Sequence, residues 1–421
     1  MFYCPSEKAL NTPEYNRQLL KPGEVTLLIR GIIRSGPGEL ELAGKTLVTK
    51  GELKTGIRLL IKSAREYEKQ KRILDAARIY RYIGDLLLNA NPRALKDARP
   101  FLLKSAYYYL DVLEREIELK EPNLELLDEF CSNILRIFEI LGEKDKFEKY
   151  AREFAVMYKS MGDTQMKRKK IQKAIESYEA AHRYYKTIHD SSGIEDMASI
   201  LIDLYGKGAE IFVAKKEYQR AGDVFFKLAF IVKDVFGYDD HFMELMENAG
   251  RNYERAGRKW YASGNLHYTA KTFLSAEYSY LLAGNTQRTK LIGLNTTKML
   301  YQLAGEYRKE GFMEELGDTL LMLAQSLFAL DKLLEGLKSY KELIAEVEVT
   351  LEHRYRIRKA LLLYLAAKER SRNYLEFVEQ MDFYAKREAY AQAIDLAELI
   401  FETRYPELKK GLQKVEGFSP E

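Results

Sequence analysis

The stretch YKSMGDTQMKRKKIQKAIESYEAA, residues 158–181, places one small residue, Gly162, twelve positions before another, Ala174. Gly inside a helix costs about 1 kcal/mol relative to Ala. Its repeated use at matching helix positions therefore predicts that neighbouring helices cross closely there. Pairs spaced by twelve to fourteen residues recur along the chain, at Gly44 and Gly56, Ala64 and Ala76, Gly84 and Ala98, Gly208 and Ala221, Gly257 and Ala270, Gly305 and Gly317, and Ala324 and Gly336.

A longer period runs through the middle of the chain. The glycines Gly162, Gly208, Gly257 and Gly305 follow one another at intervals of 46, 49 and 48 residues. One repeat is therefore about 48 residues, with two helices that are each about 30 Å long. Helical periodicity extends from residue 38 almost to the end and predicts eighteen helices, including 144–161, 167–189 and 333–351.

A fuller pattern of large and small residues surrounds the glycines. In the quoted stretch it reads Tyr158, Met161, Gly162, Gln165, Ala174, Tyr178 and Ala181, and comparable sets start at Tyr301, Leu320 and Phe377. This pattern resembles the tetratricopeptide repeat, a pair of antiparallel helices, and the longer central helices resemble the soluble NSF attachment protein variant of that superfamily. The resemblance covers most of residues 38–405. It implies an all-α fold, a right-handed α-solenoid of stacked antiparallel helix pairs, and a role in protein binding, and it does not imply catalysis.

Stacking of hairpins explains how such a chain forms a core. Each hairpin exposes an apolar stripe that only the next hairpin can bury, so several repeats must be present together. The bulky residues expected in the buried seam are Leu60, Tyr80, Tyr178, Phe225, Leu274 and Tyr340. The predicted organisation is an irregular segment over 1–36, repeats over 37–190 and 191–405, and a capping helix and tail over 406–421. The turn residues at 190–193 mark the expected place for a bend.

The overall composition gives few indications of a partner or compartment. The 421 residues carry 67 basic and 63 acidic side chains, a net charge of +4, which does not favour nucleic acid or acidic lipid. The two cysteines, Cys4 and Cys131, are expected to be free thiols in a reducing compartment. Neither a signal peptide nor an apolar run near the ~18 residues of a membrane span is recognisable. These features together favour a cytoplasmic protein.

Several motifs have a simple structural explanation. Residues 38–46, GELELAGKT, approach a phosphate-binding loop, but five residues rather than four separate the glycines, and two of them are glutamates. His182 and His189 are about 10 Å apart on one helix, which is too far for a shared metal ion. No catalytic, cofactor-binding or metal site is predicted. The chaperone-tail clamp of some tetratricopeptide proteins is not expected either, because Asp163 follows Gly162 where that clamp needs Asn.

Two basic clusters are the candidate partner-binding residues. The first comprises Lys167, Arg168, Lys169, Lys170 and Lys173, and the second comprises His353, Arg354, Arg356, Arg358 and Lys359. Both are predicted to open helices, where cations oppose the helix dipole. One interpretation is surface charge that pairs with acids on a neighbouring helix, such as Glu342, Glu346 and Glu348. The other is a patch that binds an acidic protein segment or nucleic acid.

The leading hypothesis is a non-enzymatic scaffold or adaptor that binds a partner protein or peptide in the groove of a helical-repeat superhelix. A second hypothesis is nucleic-acid binding by the two basic clusters, with Tyr184, Tyr185 and Tyr355 nearby to stack on bases. A third is a non-catalytic subunit of an enzyme complex. The identity of the partner does not follow from the residues.

Overall fold

The structure of the chain is a computed structural model that describes residues 36–91 and 93–417. All regular elements in these residues are α-helices. The chain divides into two compact units, Met1–Gly193 and Ile194–Glu421, and helix α8 (Ser191–Ala214) contains the boundary between them. The boundaries predicted from the sequence at 190/191 and 405/406 stay predictions.

Unit 1 is a linear array in which each helix packs on the next one in sequence. Contacts two helices apart tie the array together. Tyr108 of α4 donates a hydrogen bond to Glu68 of α2 (2.9 Å), and Arg78 of α3 pairs with Glu129 of α5 (2.9 Å). Its helices are α1 (Pro37–Thr49), α2 (Leu53–Lys69), α3 (Ile73–Ala90), α4 (Leu95–Ile117), α5 (Leu124–Ile140), α6 (Lys144–Lys167) and α7 (Ile171–Thr187).

Unit 2 continues the helical hairpins but folds them around a central layer. Its helices are α9 (Tyr218–Phe236), α10 (Asp240–Ala262), α11 (Leu266–Leu282), α12 (Thr286–Glu310), α13 (Met313–Ala329), α14 (Leu333–Glu346), α15 (Leu351–Glu369), α16 (Arg372–Ala385), α17 (Tyr390–Arg404) and α18 (Pro406–Val415). Helices α11, α13, α15 and α17 contact one another in order, and α11 also reaches α15. These helices form the inner layer of the unit.

The inner layer of unit 2 is covered by the unit's own helices. Twelve of the 17 residues of α13 are buried, against eight of 25 in α12. Residues 360–366 of α15 are seven consecutive buried residues, nearly two helical turns, so every side of that helix is covered there. Lys233 of α9 is fully buried and pairs with Glu379 of α16 (2.6 Å), although 146 residues separate them. This pair links the first helices of the unit to its last ones.

The small residues identified in the sequence lie inside helices, and many of them permit close crossings. An added Cβ at Gly162 would meet Cε1 of Tyr178 at 2.6 Å, and one at Gly56 would meet the carbonyl oxygen of Gly44 at 2.8 Å. Such distances confirm the predicted close contacts at these positions. The same prediction is wrong for Gly208 and Gly305, where an added Cβ would meet nothing within 4 Å.

The predicted seam is also present. Leu60, Tyr80, Tyr178 and Tyr340 are buried, whereas Phe225 and Leu274 are only partly buried. Residues 38–46 lie within helix α1, so they do not form a phosphate-binding loop. Cys131 is buried, and burial raises the pKa of its thiol well above the usual value.

Two predicted helix ends differ from the structure by more than four residues. Helix α6 continues to Lys167 instead of ending at 161, because Gly162 fits under Tyr178 and the residues after it keep the helical conformation. Helix α14 ends at Glu346, and Thr350 caps α15 by accepting a hydrogen bond from the backbone N–H of His353. The predicted irregular segment over 1–36 lies outside the described residues except for Gly36, and the tail over 418–421 also lies outside them.

Candidate interaction surfaces

The first basic cluster spans the turn between α6 and α7. Lys167 is in the last turn of α6 and Arg168 is its C-cap, while Lys170 and Lys173 begin α7. The prediction that the whole cluster opens a helix is therefore wrong for Lys167 and Arg168. At a helix C-terminus, cations are favoured by the helix dipole rather than opposed by it. Lys169 lies in the turn between the helices, with φ of 58°.

An acidic residue from a neighbouring turn neutralises part of this cluster. Glu121, which follows α4, pairs with Lys170 at 2.5 Å and with Lys173 at 3.9 Å. The hydrogen bond from Lys170 lowers the pKa of the Glu121 carboxyl. Arg168 donates to the carbonyl oxygen of Lys120 at 3.4 Å. Lys167, Arg168 and Lys169 are exposed at the surface and Glu121 does not pair with them, so these three carry the cluster's remaining capacity to bind an anion.

The second basic cluster is largely taken up by contacts within unit 2. Arg358 is 4% exposed and pairs with Glu398 (2.7 Å) and Glu416 (2.8 Å), so it holds α15 to the C-terminal end of the chain. Arg356 pairs with Asp318 (2.9 Å), and Lys359 pairs with Asp382 (2.7 Å).

The acids that pair with this cluster are not the ones expected from the sequence. Glu346 instead pairs with Arg308, at 2.6 Å. Arg354 is half-buried and also has an interaction within the chain. Burial and the nearby charge of Arg356 lower the pKa of His353.

The aromatic residues that nucleic-acid binding would need are not accessible. Tyr184, Tyr185 and Tyr355 are 4%, 8% and 8% exposed. Bases stack on the faces of exposed aromatic rings, so buried tyrosines cannot serve that role. Without them, the basic clusters offer charge but no platform for stacking.

A row of aromatic side chains lies at one end of four consecutive helices of unit 2. We call this row the aromatic edge; it comprises Trp260, His267, Tyr268, Tyr307 and Phe312. The ring centroids of Trp260 and Tyr268 are 5.3 Å apart, and those of His267 and Tyr268 are 6.1 Å apart. His267 is 6.5 Å from Tyr307, which is 6.4 Å from Phe312. The rings therefore form one continuous row.

The turns of two neighbouring hairpins place this row at the surface. Trp260 lies in the last turn of α10 and Tyr268 in the first turn of α11, while Tyr307 lies in the last turn of α12 and Phe312 directly precedes α13. Trp260, Tyr268 and Phe312 are 36%, 48% and 49% exposed. The indole N–H of Trp260 donates to Gln219 of α9 at 3.4 Å, which restrains the ring. Exposed rings in a contiguous row are typical of surfaces that bind another protein.

The aromatic edge was not predicted from the sequence. Tyr268, Tyr278 and Tyr280 all lie on α11, but only Tyr268 is exposed, and the other two are 7% and 1% exposed. The one sequence feature that could have indicated their exposure is that Trp260, Tyr268 and Phe312 all lie within a few residues of a predicted turn.

Two further features bear on function. Within residues 36–91 and 93–417, no cluster of three or more His, Cys, Asp or Glu side chains could hold a metal ion. Over the same residues, every helix is too short or too polar to cross a membrane.

Comparisons with known proteins give only distant similarities. No protein-family model matches the chain, and no curated protein matches it. Among solved structures, the chain is similar to a circular tandem repeat protein with novel repeat topology and enhanced subunit contact surfaces. That similarity has 14% identity and a TM-score of 0.28, and covers 94% of this chain and 96% of the other. It is also similar to yeast Tom70, with 13% identity and a TM-score of 0.16, over 82% of this chain and 92% of the other.

These TM-scores carry no argument about function, so the fold assignment depends on the helix packing described above. That packing is the all-α, helical-repeat arrangement of an α-solenoid, as the sequence predicted. The soluble NSF attachment protein variant and the right-handed superhelix stay predictions.

Proposed function

We propose that this chain is a non-enzymatic scaffold that binds a partner protein through the aromatic edge of unit 2. The observation that carries the proposal is the continuous row of rings from Trp260 to Phe312, in which Trp260, Tyr268 and Phe312 are exposed and His267 and Tyr307 are partly buried. Aromatic side chains bury a large area with little loss of side-chain freedom, and for this reason they dominate binding energy at protein interfaces.

The proposed site differs from the groove expected from the sequence. In unit 2 the inner layer is covered by helices of the same unit, and residues 360–366 of α15 are buried throughout. A partner of unit 2 therefore contacts its outer helices or the turns at their ends. The turns between α10 and α11 and between α12 and α13 are where exposed aromatic rings concentrate. The cytoplasm stays the predicted compartment.

Affinity purification from the native cell, followed by mass spectrometry, tests the proposal with a matched pair of variants. W260A/Y268A removes the rings at one end of the aromatic edge. Y107A removes a ring from unit 1 that is 49% exposed, close to the 48% of Tyr268. We expect the same partner to be recovered with the wild-type protein and with Y107A, and to be lost with W260A/Y268A.

Two further results would overturn the proposal. One is recovery that W260A/Y268A leaves unchanged while its far-UV circular dichroism matches the wild type. The other is recovery that disappears after nuclease treatment and falls steeply with salt, because binding that neutralises phosphates releases counterions. A catalytic chain among the recovered proteins would identify the scaffold as a subunit of an enzyme complex.

A further inference from the structure

Helix α12 has an apolar face that no described residue covers. Its inner face packs on α11 and α13 and buries Ile292, Leu300 and Leu303. On its outer side, Leu291, Leu294 and Tyr301 are 51%, 58% and 55% exposed. A surface helix normally has one apolar face and one polar face. A second apolar face on α12 therefore indicates a contact that another molecule completes.

Four exposed residues and the partly buried Gly305 follow the spacing of a helix–helix seam. Leu291, Leu294, Lys298, Tyr301 and Gly305 are separated by three, four, three and four residues, as in the a and d positions of a coiled coil. We call these five residues the α12 seam. It is about 21 Å long at 1.5 Å per residue, enough to contact a partner helix of several turns.

Gly305 is the residue of the seam that the fold of unit 2 does not explain. An added Cβ there would meet nothing within 4 Å, so no neighbouring helix of unit 2 requires a glycine at this position. On an exposed seam, a residue without a side chain lets the backbone of a second helix approach closely. The position of Gly305 thus agrees with docking of a helix along Leu294 and Tyr301.

The charged residues within the span of the seam are of one sign, although the exposed Glu306 follows its last residue. Residues 286–305 of α12 include Arg288, Lys290 and Lys298 and contain no Asp or Glu. Arg288 is 3.5 Å from Glu254, while Lys290 and Lys298 are exposed. A partner with carboxylates beside its apolar stripe complements these lysines. A second copy of the chain would bring lysine against lysine, and a bilayer surface needs a wider apolar face than three residues provide.

We propose that the α12 seam binds an amphipathic helix of a partner protein whose apolar stripe is flanked by Asp and Glu. The apolar side chains of that helix pack on Leu291, Leu294 and Tyr301, and its backbone is closest at Gly305. Its carboxylates lie against Lys290 and Lys298. This surface is separate from the aromatic edge, and the inference does not depend on the function proposed above.

Titration of the full-length protein with synthetic peptides tests the inference. The probe is a labelled helical peptide of about three heptads with Leu at positions a and d and Glu at e and g. The control peptide has Lys in place of every Glu. We expect saturable fluorescence anisotropy with the Glu peptide and binding of the Lys peptide that is at least about tenfold weaker.

Variants of the protein separate docking from folding. L294D should weaken binding of the Glu peptide at least about tenfold, as expected when an anchor residue of an interface is lost. L334D, at a leucine of α14 that is 84% exposed, should leave it unchanged. G305L should block the seam without harming the helix, because Leu favours helix more than Gly does. K290E/K298E should reverse the preference between the two peptides, so that this variant binds the Lys peptide more tightly than the Glu peptide.

Four outcomes would overturn the inference. They are no saturable binding of the Glu peptide, equal binding by wild type and L294D, a dimer of the wild type that L294D abolishes, and binding to phosphatidylserine vesicles in place of the peptide. W260A/Y268A should still bind the Glu peptide. The experiments therefore distinguish an error in the function proposed for the aromatic edge from an error in the function proposed for the α12 seam.

Discussion

Two glycines inside helices of unit 2 should respond in opposite directions to replacement by alanine. An added Cβ at Gly250 of α10 would meet Cδ1 and Cε1 of Tyr280 at 2.9 Å, whereas one at Gly305 would meet nothing within 4 Å. The ring of Tyr280 cannot move away easily, because it is 1% exposed and its hydroxyl donates to Glu254 at 2.9 Å.

The expected free energies follow from two effects. Alanine gains about 1 kcal/mol over glycine in a helix interior, and at Gly305 this gain acts alone. At Gly250 the methyl group intrudes by roughly 0.6–1.1 Å on the ~3.5–4.0 Å separation of carbon atoms in contact. Forcing a methyl group into a packed core costs about 1–3 kcal/mol. G250A should therefore be less stable than G305A by about 1–3 kcal/mol.

Urea unfolding of the full-length protein measures this difference. The only tryptophan, Trp260, lies in α10 and reports on unit 2, and far-UV circular dichroism reports on all helices. The midpoints should change while the slopes stay the same. In a Tyr280→Ala background, G250A should lose its penalty and show only the helical gain. Equal stabilities of G250A and G305A, or a difference that persists without Tyr280, would refute the steric explanation.

Three further predictions concern charged groups. Burial works to raise the pKa of Glu416, but the hydrogen bonds from Arg358 and Tyr340 outweigh it and lower that pKa. The stability that Glu416 provides should thus be present at neutral pH and lost as the pH falls below the ordinary carboxyl range. In E416Q, the urea midpoint should therefore change less with pH over the acidic range than it does in the wild type. Burial raises the pKa of Glu277 well above its usual value. The contribution of Glu277 to stability is therefore lost as the pH rises above the pKa that this carboxyl has in the unfolded chain. E277Q should gain stability over the wild type by about 1.4 kcal/mol per pH unit in that range, measured by urea midpoints from acid to alkaline pH. Finally, R358A should cost about 3–5 kcal/mol in urea unfolding because it removes the guanidinium group that pairs with the Glu416 carboxylate, whereas K167E/K169E should shift stability by at most about 0.5 kcal/mol. Similar losses for the two variants would contradict the separate roles assigned to these cations.

The helices could be predicted because their signals are local. Apolar periodicity and turn residues depend only on neighbouring positions, and all eighteen predicted helices are present. The boundary near Gly162 could not be read in the same way. The predicted helix ended at 161, but the chain stays helical at Gly162, where the ring of Tyr178, sixteen residues away, fills the space left by the missing side chain.

The surfaces could not be predicted to the same extent, because exposure depends on contacts between distant segments. Arg358 and Arg356 are two residues apart, yet only Arg358 is buried, and the reason is Glu416 at the far end of the chain. Tyr268 and Tyr280 share a helix and differ in exposure because Tyr280 fits against Gly250 of the preceding helix. Contacts between side chains that are this far apart in the sequence cannot be predicted from the sequence alone.

The ion pair between the buried Lys233 and the partly exposed Glu379 has a consequence for how unit 2 evolves and unfolds. An array held only by neighbours can be trimmed or extended by whole hairpins, and each shorter version remains folded. Unit 2 instead joins its beginning to its end, so removing α16 would take Glu379 away from the buried ammonium group of Lys233 and leave Asp234, at 3.1 Å, to balance that charge inside the core. Its length is consequently fixed, and its helices should melt as a single cooperative block.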